Sequence, residues 1–215
     1  WLMLAAGIHT LLIYKHTGQS LRATFVFLIL QFFFILYSTF LTRSGILGES
    51  SVHAFTDLGM NAQLYLLLFV FAWPFVVLTA ARPAMKMKMG ITALALLMLT
   101  WLSGEFGWAI GGLHLAPMLA FGTILAGVIA LIGVVQKNVP ALHKEEATSS
   151  REFWMFIGSL IFFLSAVVII FKTSLPVINK VFDMKKAAPQ DEEFAYNQIQ
   201  VFVAIIIGLL TAVTQ

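Results

Sequence analysis

Long apolar runs, interrupted by short polar stretches, dominate this chain. Residues 1–14 form the first run, which stops at Lys15. At ~1.5 Å per residue this run falls short of a ~30 Å hydrocarbon core, so we expect its beginning to lie upstream. Residues 23–41 read as a full membrane span rich in Phe, closed by Arg43. Residues 61–80 read as a third span, kinked at Trp73-Pro74, where neighbours re-satisfy the freed carbonyl. Residues 90–103 read as a fourth, 113–135 as a fifth with Pro117 in its first turns, and 153–171 as a sixth. Residues 199–214 read as a seventh, incomplete span. The pattern predicts an all-α fold, a polytopic transmembrane helical bundle of about seven spans with the first and last truncated.

The polar stretches are read as turns and loops. Residues 15–22 form a basic turn around Gly18, 82–88 a second basic turn, and 104–108 a tight turn bearing Glu105. Residues 136–152 form a longer loop whose Ser150-Arg151-Glu152 end suits a helix N-terminus. Residues 173–198 read as a polar loop with Pro176, Pro189 and the acidic run Asp191-Glu192-Glu193, most simply a solvated face. The most polar of the loops is 42–60, which carries Arg43 and His53 between two spans nearly devoid of charge. There is no internal repeat and no low-complexity tract.

Composition supports the membrane reading. Of the 215 residues, 60% are hydrophobic and only 11% charged, with a mean hydropathy of +0.93. Soluble domains are about 25% charged. The net charge of +3 is small and the basic residues sit at span ends, which argues for membrane orientation and against nucleic-acid binding. The absence of cysteine removes disulfides, thiolate metal sites and a thiol nucleophile of the chain's own. Without an initiator Met or a signal peptide, we expect residues 1–215 to be one integral-membrane segment of a longer protein.

Alternate loops carry Lys15, Arg22, Arg82, Lys86, Lys88, Lys137, Lys144 and Arg151; the opposite loops carry Arg43, Lys172, Lys180, Lys185 and Lys186. Eight against five makes the first set cytoplasmic by the positive-inside rule. The 42–60 loop, the Glu105 turn and the 173–198 loop are then external.

Few residues can carry chemistry. His53, at the outer interface, is either a metal or haem-iron ligand or a loop histidine bonded to nearby backbone. Arg43, at the mouth of a span, is either a bidentate clamp for carboxylates or a snorkelling anchor. His9 lies within an apolar run beside Ala5, Ala6 and Leu12. An ionisable group at that depth is costly and needs a partner, which is either a buried haem iron or a neighbouring helix. His114 lies near the outer end of its span, beside Pro117. His16 and His143 share loops with lysines and read as solvated. Glu105 with Trp108 is a weak signal, and Trp1, Trp73, Trp101 and Trp154 fit an interfacial belt. No phosphate-binding glycine loop, zinc-spaced His/Glu pair or Ser/His/Asp order can be assembled.

Thr42-Arg43-Ser44-Gly45, followed by Ser51-Val52-His53-Ala54-Phe55, closely resembles the CcmF/CcsA family of cytochrome c maturation proteins, in its CcmF-type branch. Trp1-Leu2 with Ile8-His9 resembles the end of that family's tryptophan-rich motif and the helix histidine after it. Ser150-Arg151-Glu152, then Thr173-Ser174-Leu175-Pro176 and Asn179-Lys180-Val181-Phe182, resemble a later span and external loop. The resemblance spans most of the chain except about 83–140, which looks like an inserted helix pair.

The resemblance implies a component of a cytochrome c haem lyase, presenting haem at the outer membrane face for thioether attachment to apocytochrome c. It implies His53 as an external axial ligand of the transiently presented haem and His9 as a ligand of an intramembrane b-type haem. The tryptophan-rich motif, the upstream external histidine and the helix histidine completing the b-haem are missing from this chain, and His114 falls in the inserted pair. The segment is therefore half of two sites. Phe55 would pack on the haem and Arg43 would pair with a propionate. The implied partners are apocytochrome c, a haem chaperone, other maturation proteins and the lipid bilayer; the implied location is the bacterial inner membrane, with residues 42–60 periplasmic. Two other readings stand beside it. A secondary transporter or haem-export channel would gather polar residues at mid-membrane, and a respiratory-complex subunit would leave the Arg43/His53 loop without a role.

Overall fold

A computed structural model of the chain describes residues 1–45, 47, 64, 66, 67, 69, 70, 73, 82–140, 147–182, 184–186 and 191–214. Among these, helix α1 runs Leu2–Thr17, α2 Leu21–Arg43, α3 Pro83–Glu105, α4 Leu115–Asn138, α5 Arg151–Thr173, α6 Leu175–Phe182 and α7 Glu192–Thr214. A two-stranded hairpin, β1 Ala109–Ile110 and β2 Leu113–His114, joins α3 to α4. Among the described residues, five helices (α2, α3, α4, α5 and α7) are long and apolar enough to cross a membrane. The chain is a multi-pass helical membrane protein. The expected first span, α1, has 16 residues, and most of the third falls outside the described residues.

Several expected turns are helix. Residues 83–88 belong to α3, because Pro83 at the first helical position loses no hydrogen bond and Ala, Met and Lys favour helix. The 173–198 stretch holds α6 and the start of α7. Asp191 of the acidic run is exposed and also caps α7, its Oδ1 accepting the Phe194 N–H at 2.8 Å. Ser150 caps α5 as its sequence context predicted, accepting the Phe153 N–H at 3.1 Å. Helix α1 ends where Gly18 adopts a left-handed φ of 73° and its N–H returns to the Tyr14 carbonyl. The hairpin was not anticipated, although its signal is present. Gly111 and Gly112, at φ 60° and 84°, supply the two positive angles that a two-residue hairpin turn requires.

The chain divides into two compact units. The first contains residues 1–31, 135–175 and 187–215. In it, α1 and α7 each pack on α5. The α1 interface uses small residues: Ala6, Gly7 and Thr10 are buried at helical spacing. A Cβ on Gly7 would lie 3.2 Å from the Leu28 side chain, so glycine lets α2 approach. The buried Thr24 hydroxyl donates to the Thr10 hydroxyl at 3.0 Å, and Thr10 in turn bonds to carbonyls of its own helix.

The second unit contains residues 32–134 and 176–186. Phe33, Leu36, Phe40 and Leu41 of α2 are buried, and Phe40 meets Phe121 of α4 edge-on at 4.9 Å. Ala116, Ala120, Val128 and Leu131 line one stripe of α4. Ala116 comes within 3.7 Å of where a Cβ on Gly104 would sit.

Candidate functional site

The sequence-predicted residues divide by location. His53 and Phe55 lie outside the described residues, as does His143. Arg43 is the exposed last residue of α2, where a cation complements the negative end of the helix dipole. His114 is exposed in strand β2, and Glu105 is the exposed last residue of α3. Trp108 stacks on Phe106 beyond that helix, and the Trp73 indole donates to the Met89 carbonyl at 3.3 Å. Of the predicted candidates, His9 lines a cavity, together with His16 and Trp154.

That cavity lies within the first unit, a cleft of about 330 Å3 walled by α1, α5 and α7. Helix α1 contributes His9, Leu12 and His16, which share a face because they are spaced by three, four and seven residues. Helix α5 contributes Arg151, Trp154, Met155, Gly158 and Phe162 from its first three turns. Helix α7 contributes Ile207, Leu210, Thr211 and Thr214 from its last two. Since α5 begins where α1 and α7 end, the polar groups gather at one mouth and the apolar ones line the depth. His9 lies about 10 Å below His16, at ~1.5 Å per residue along the helix.

The chemistry at His9 follows from one bond. Its Nδ1 is 2.8 Å from the Ala5 carbonyl oxygen. A carbonyl can only accept, so Nδ1 carries the proton and donates. In the neutral ring Nε2 then holds the lone pair. A backbone carbonyl that fixes tautomer and ring orientation is the usual support of a metal-ligating imidazole. The ring also packs at 5.7 Å on Phe162, tilted by 55°. Half-buried, aromatic-flanked and pre-oriented, His9 presents Nε2 as a lone-pair donor that can ligate a metal or accept a hydrogen bond.

His16 projects from the same face of the same helix, so it cannot approach a metal ion from the side opposite His9. No group of three or more His, Cys, Asp or Glu able to hold a metal ion occurs among the described residues. Among the described residues the cleft therefore offers one pre-oriented imidazole nitrogen, that of His9, and no cluster of ligands around it.

Sequence reasoning missed the other residues of the cleft. Read from neighbouring residues alone, His16 was a loop residue; it is exposed but sits in the last turn of α1 and at the mouth of the cleft. Arg151 and Thr211 offer no local signal, because their role depends on α1, α5 and α7 packing together. The chain matches no known family model, no curated protein and no solved structure.

Proposed function

We propose that this chain is a haem-handling segment of a cytochrome c maturation protein. On this reading, His9 ligates an intramembrane b-type haem, and the periplasmic loop bearing Arg43, His53 and Phe55 presents a second haem to apocytochrome c. The observation that carries it is the Nδ1–H of His9 held by the Ala5 carbonyl, which leaves Nε2 as the ligating atom beside Phe162. The Thr42-Arg43-Ser44-Gly45 and Ser51-Val52-His53-Ala54-Phe55 motifs support the external half. When bound, haem supplies the vinyl groups and the redox iron. The chain's part is to orient the imidazoles, shield the ring with aromatic side chains and pair Arg43 with a propionate. This makes the chain part of a haem lyase in the bacterial inner membrane, working with a haem chaperone and other maturation proteins.

A transporter or haem-export channel remains the second reading, favoured by the buried hydroxyls of Thr10, Thr24, Ser159 and Ser165 in the first unit. Three of these are hydrogen-bonded within or between helices, which suits packing better than a substrate path. The deciding experiment is haem content and pyridine-haemochrome spectra of the purified wild-type protein, His9→Ala, His53→Ala and Arg43→Gln, with membrane insertion checked for each. Loss of a different haem signal in each histidine variant is the expected result, with weakened retention in Arg43→Gln. Unchanged spectra in both histidine variants would bring the transporter reading forward, and unchanged retention in Arg43→Gln would remove its propionate role.

A further inference from the structure

The mouth of the cleft has features that ligation by His9 does not use. Arg151 is half exposed there, and its ion pair with the adjacent Glu152 is long, at 3.6 Å, and of the weak surface type. His16 stands beside it on α1, next to Lys15 in the same last turn. The ends of α1 and α7 bring two half-negative dipoles to this mouth and the start of α5 one half-positive dipole. The positive charges of Arg151 and Lys15 together exceed that difference and the Glu152 carboxylate.

Below the mouth the walls turn apolar, with Leu12, Met155, Phe162 and Leu210 around Gly158. Gly158 leaves a gap, since a Cβ there would lie 3.8 Å from the Leu210 side chain. The Thr211 and Thr214 hydroxyls already donate to carbonyls of their own helix, at 2.8 and 3.1 Å. Toward a ligand they can only accept, so they suit a headgroup carrying hydroxyls.

We propose that this cleft seats one anionic glycerophospholipid. Its phosphate pairs with the Arg151 guanidinium beside His16, and an acyl chain enters the apolar groove between α5 and α7. A basic pocket between membrane helices is a recurring seat for anionic lipid headgroups. The apolar walls distinguish this ligand from a free water-soluble anion, and the cationic rim distinguishes it from bulk zwitterionic lipid. The inference does not rest on the haem reading and competes with it, because the acyl chain would occupy the same cleft that His9 and Phe162 line.

The test is native mass spectrometry of the purified protein in mild detergent, titrated with phosphatidylglycerol or phosphatidylcholine of identical chains. One tightly held phosphatidylglycerol is expected, and Arg151→Gln should weaken it roughly fivefold, the factor that ~1 kcal/mol for one basic group represents. Lys137→Gln, an equal charge change at another exposed position, should leave it unchanged. Met155→Trp, which fills the groove without changing charge, should also release the lipid. If Arg151→Gln fails to fold, Met155→Trp decides alone. Equal retention of the two lipids, equal loss in Lys137→Gln or unchanged binding in Met155→Trp would each overturn the proposal. So would displacement of the lipid by inorganic phosphate alone, which would show a phosphate site without a lipid.

Discussion

Both units bury hydroxyls among apolar helices, but they use them differently. In the first, Thr24 of α2 donates to Thr10 of α1 at 3.0 Å, so the bond specifies which two helices meet and at what depth. In the second, Thr100 and Ser103 are similarly buried, yet their hydroxyls donate to carbonyls of their own helix, Leu96 at 2.7 Å and Thr100 at 2.9 Å. What holds the second unit is shape: the edge-on contacts of Phe121 with Phe40 and Tyr37, and the alanine stripe of α4. Lipid tails are as apolar as a helix surface, so burial alone does not drive helices together in a membrane. The first unit answers with polar links between helices and the second with close packing. The ionisable groups of the cleft sit in the unit that uses polar links.

The largest effect should come from breaking the packed unit. Phe40 is 1% exposed, so Phe40→Ala leaves a void that α4 cannot fill without moving. With the transfer term absent in lipid, the cavity term alone should cost about 2–3 kcal/mol. Unfolding in a denaturing-detergent titration would show this as an early midpoint. Phe25, on the same helix but 43% exposed, is the comparator. A Phe25→Ala midpoint shifted as far as that of Phe40→Ala would remove the claim that ring packing holds the second unit.

The helix starts sharpen the same contrast. In the first unit α5 and α7 are capped by the side chains of Ser150 and Asp191, whereas α3 in the second begins at Pro83 with no side-chain cap. Ser150→Ala and Asp191→Ala should each cost about 1 kcal/mol. Arg82→Ala, at the uncapped start of α3, should cost less than either. Hydrogen exchange at the first turn of each helix reads the difference, and equal protection loss in all three variants would refute it.

Legibility in the sequence followed the same physics. Apolar runs were readable because charge is expelled from hydrocarbon, and α2, α4 and α5 lie where those runs predict. Their ends were not, because the hydrophobic signal stops at the membrane surface while the backbone continues to satisfy itself. Pro83 and Glu192 start helices within segments too polar to be counted as span. The hairpin was legible at Gly111-Gly112 but was masked by the expectation that every connection would be a turn. His9 stood out as a lone ionisable group in an apolar run. Its neighbour Phe162 did not, since it reaches His9 only through the packing of α1 on α5, and no local pattern encodes that pairing.

The smallest expected effect is the most specific test of the comparison. Interhelical hydrogen bonds in membrane proteins average only ~0.6 kcal/mol, because the separated helices also find partners. A double-mutant cycle of Thr10→Val and Thr24→Val should therefore return a coupling of about 0.6 kcal/mol, read from unfolding midpoints. The same cycle on Thr100→Val and Ser103→Ala should return a smaller value, because neither hydroxyl donates to the other. Valine keeps the branched shape of threonine, so a coupling in the first cycle reports the hydroxyl link and not a void. Equal couplings in the two cycles would mean that the Thr10–Thr24 bond does not choose the helix pair. The first unit would then be held, like the second, by the fit of small residues such as Gly7 against Leu28.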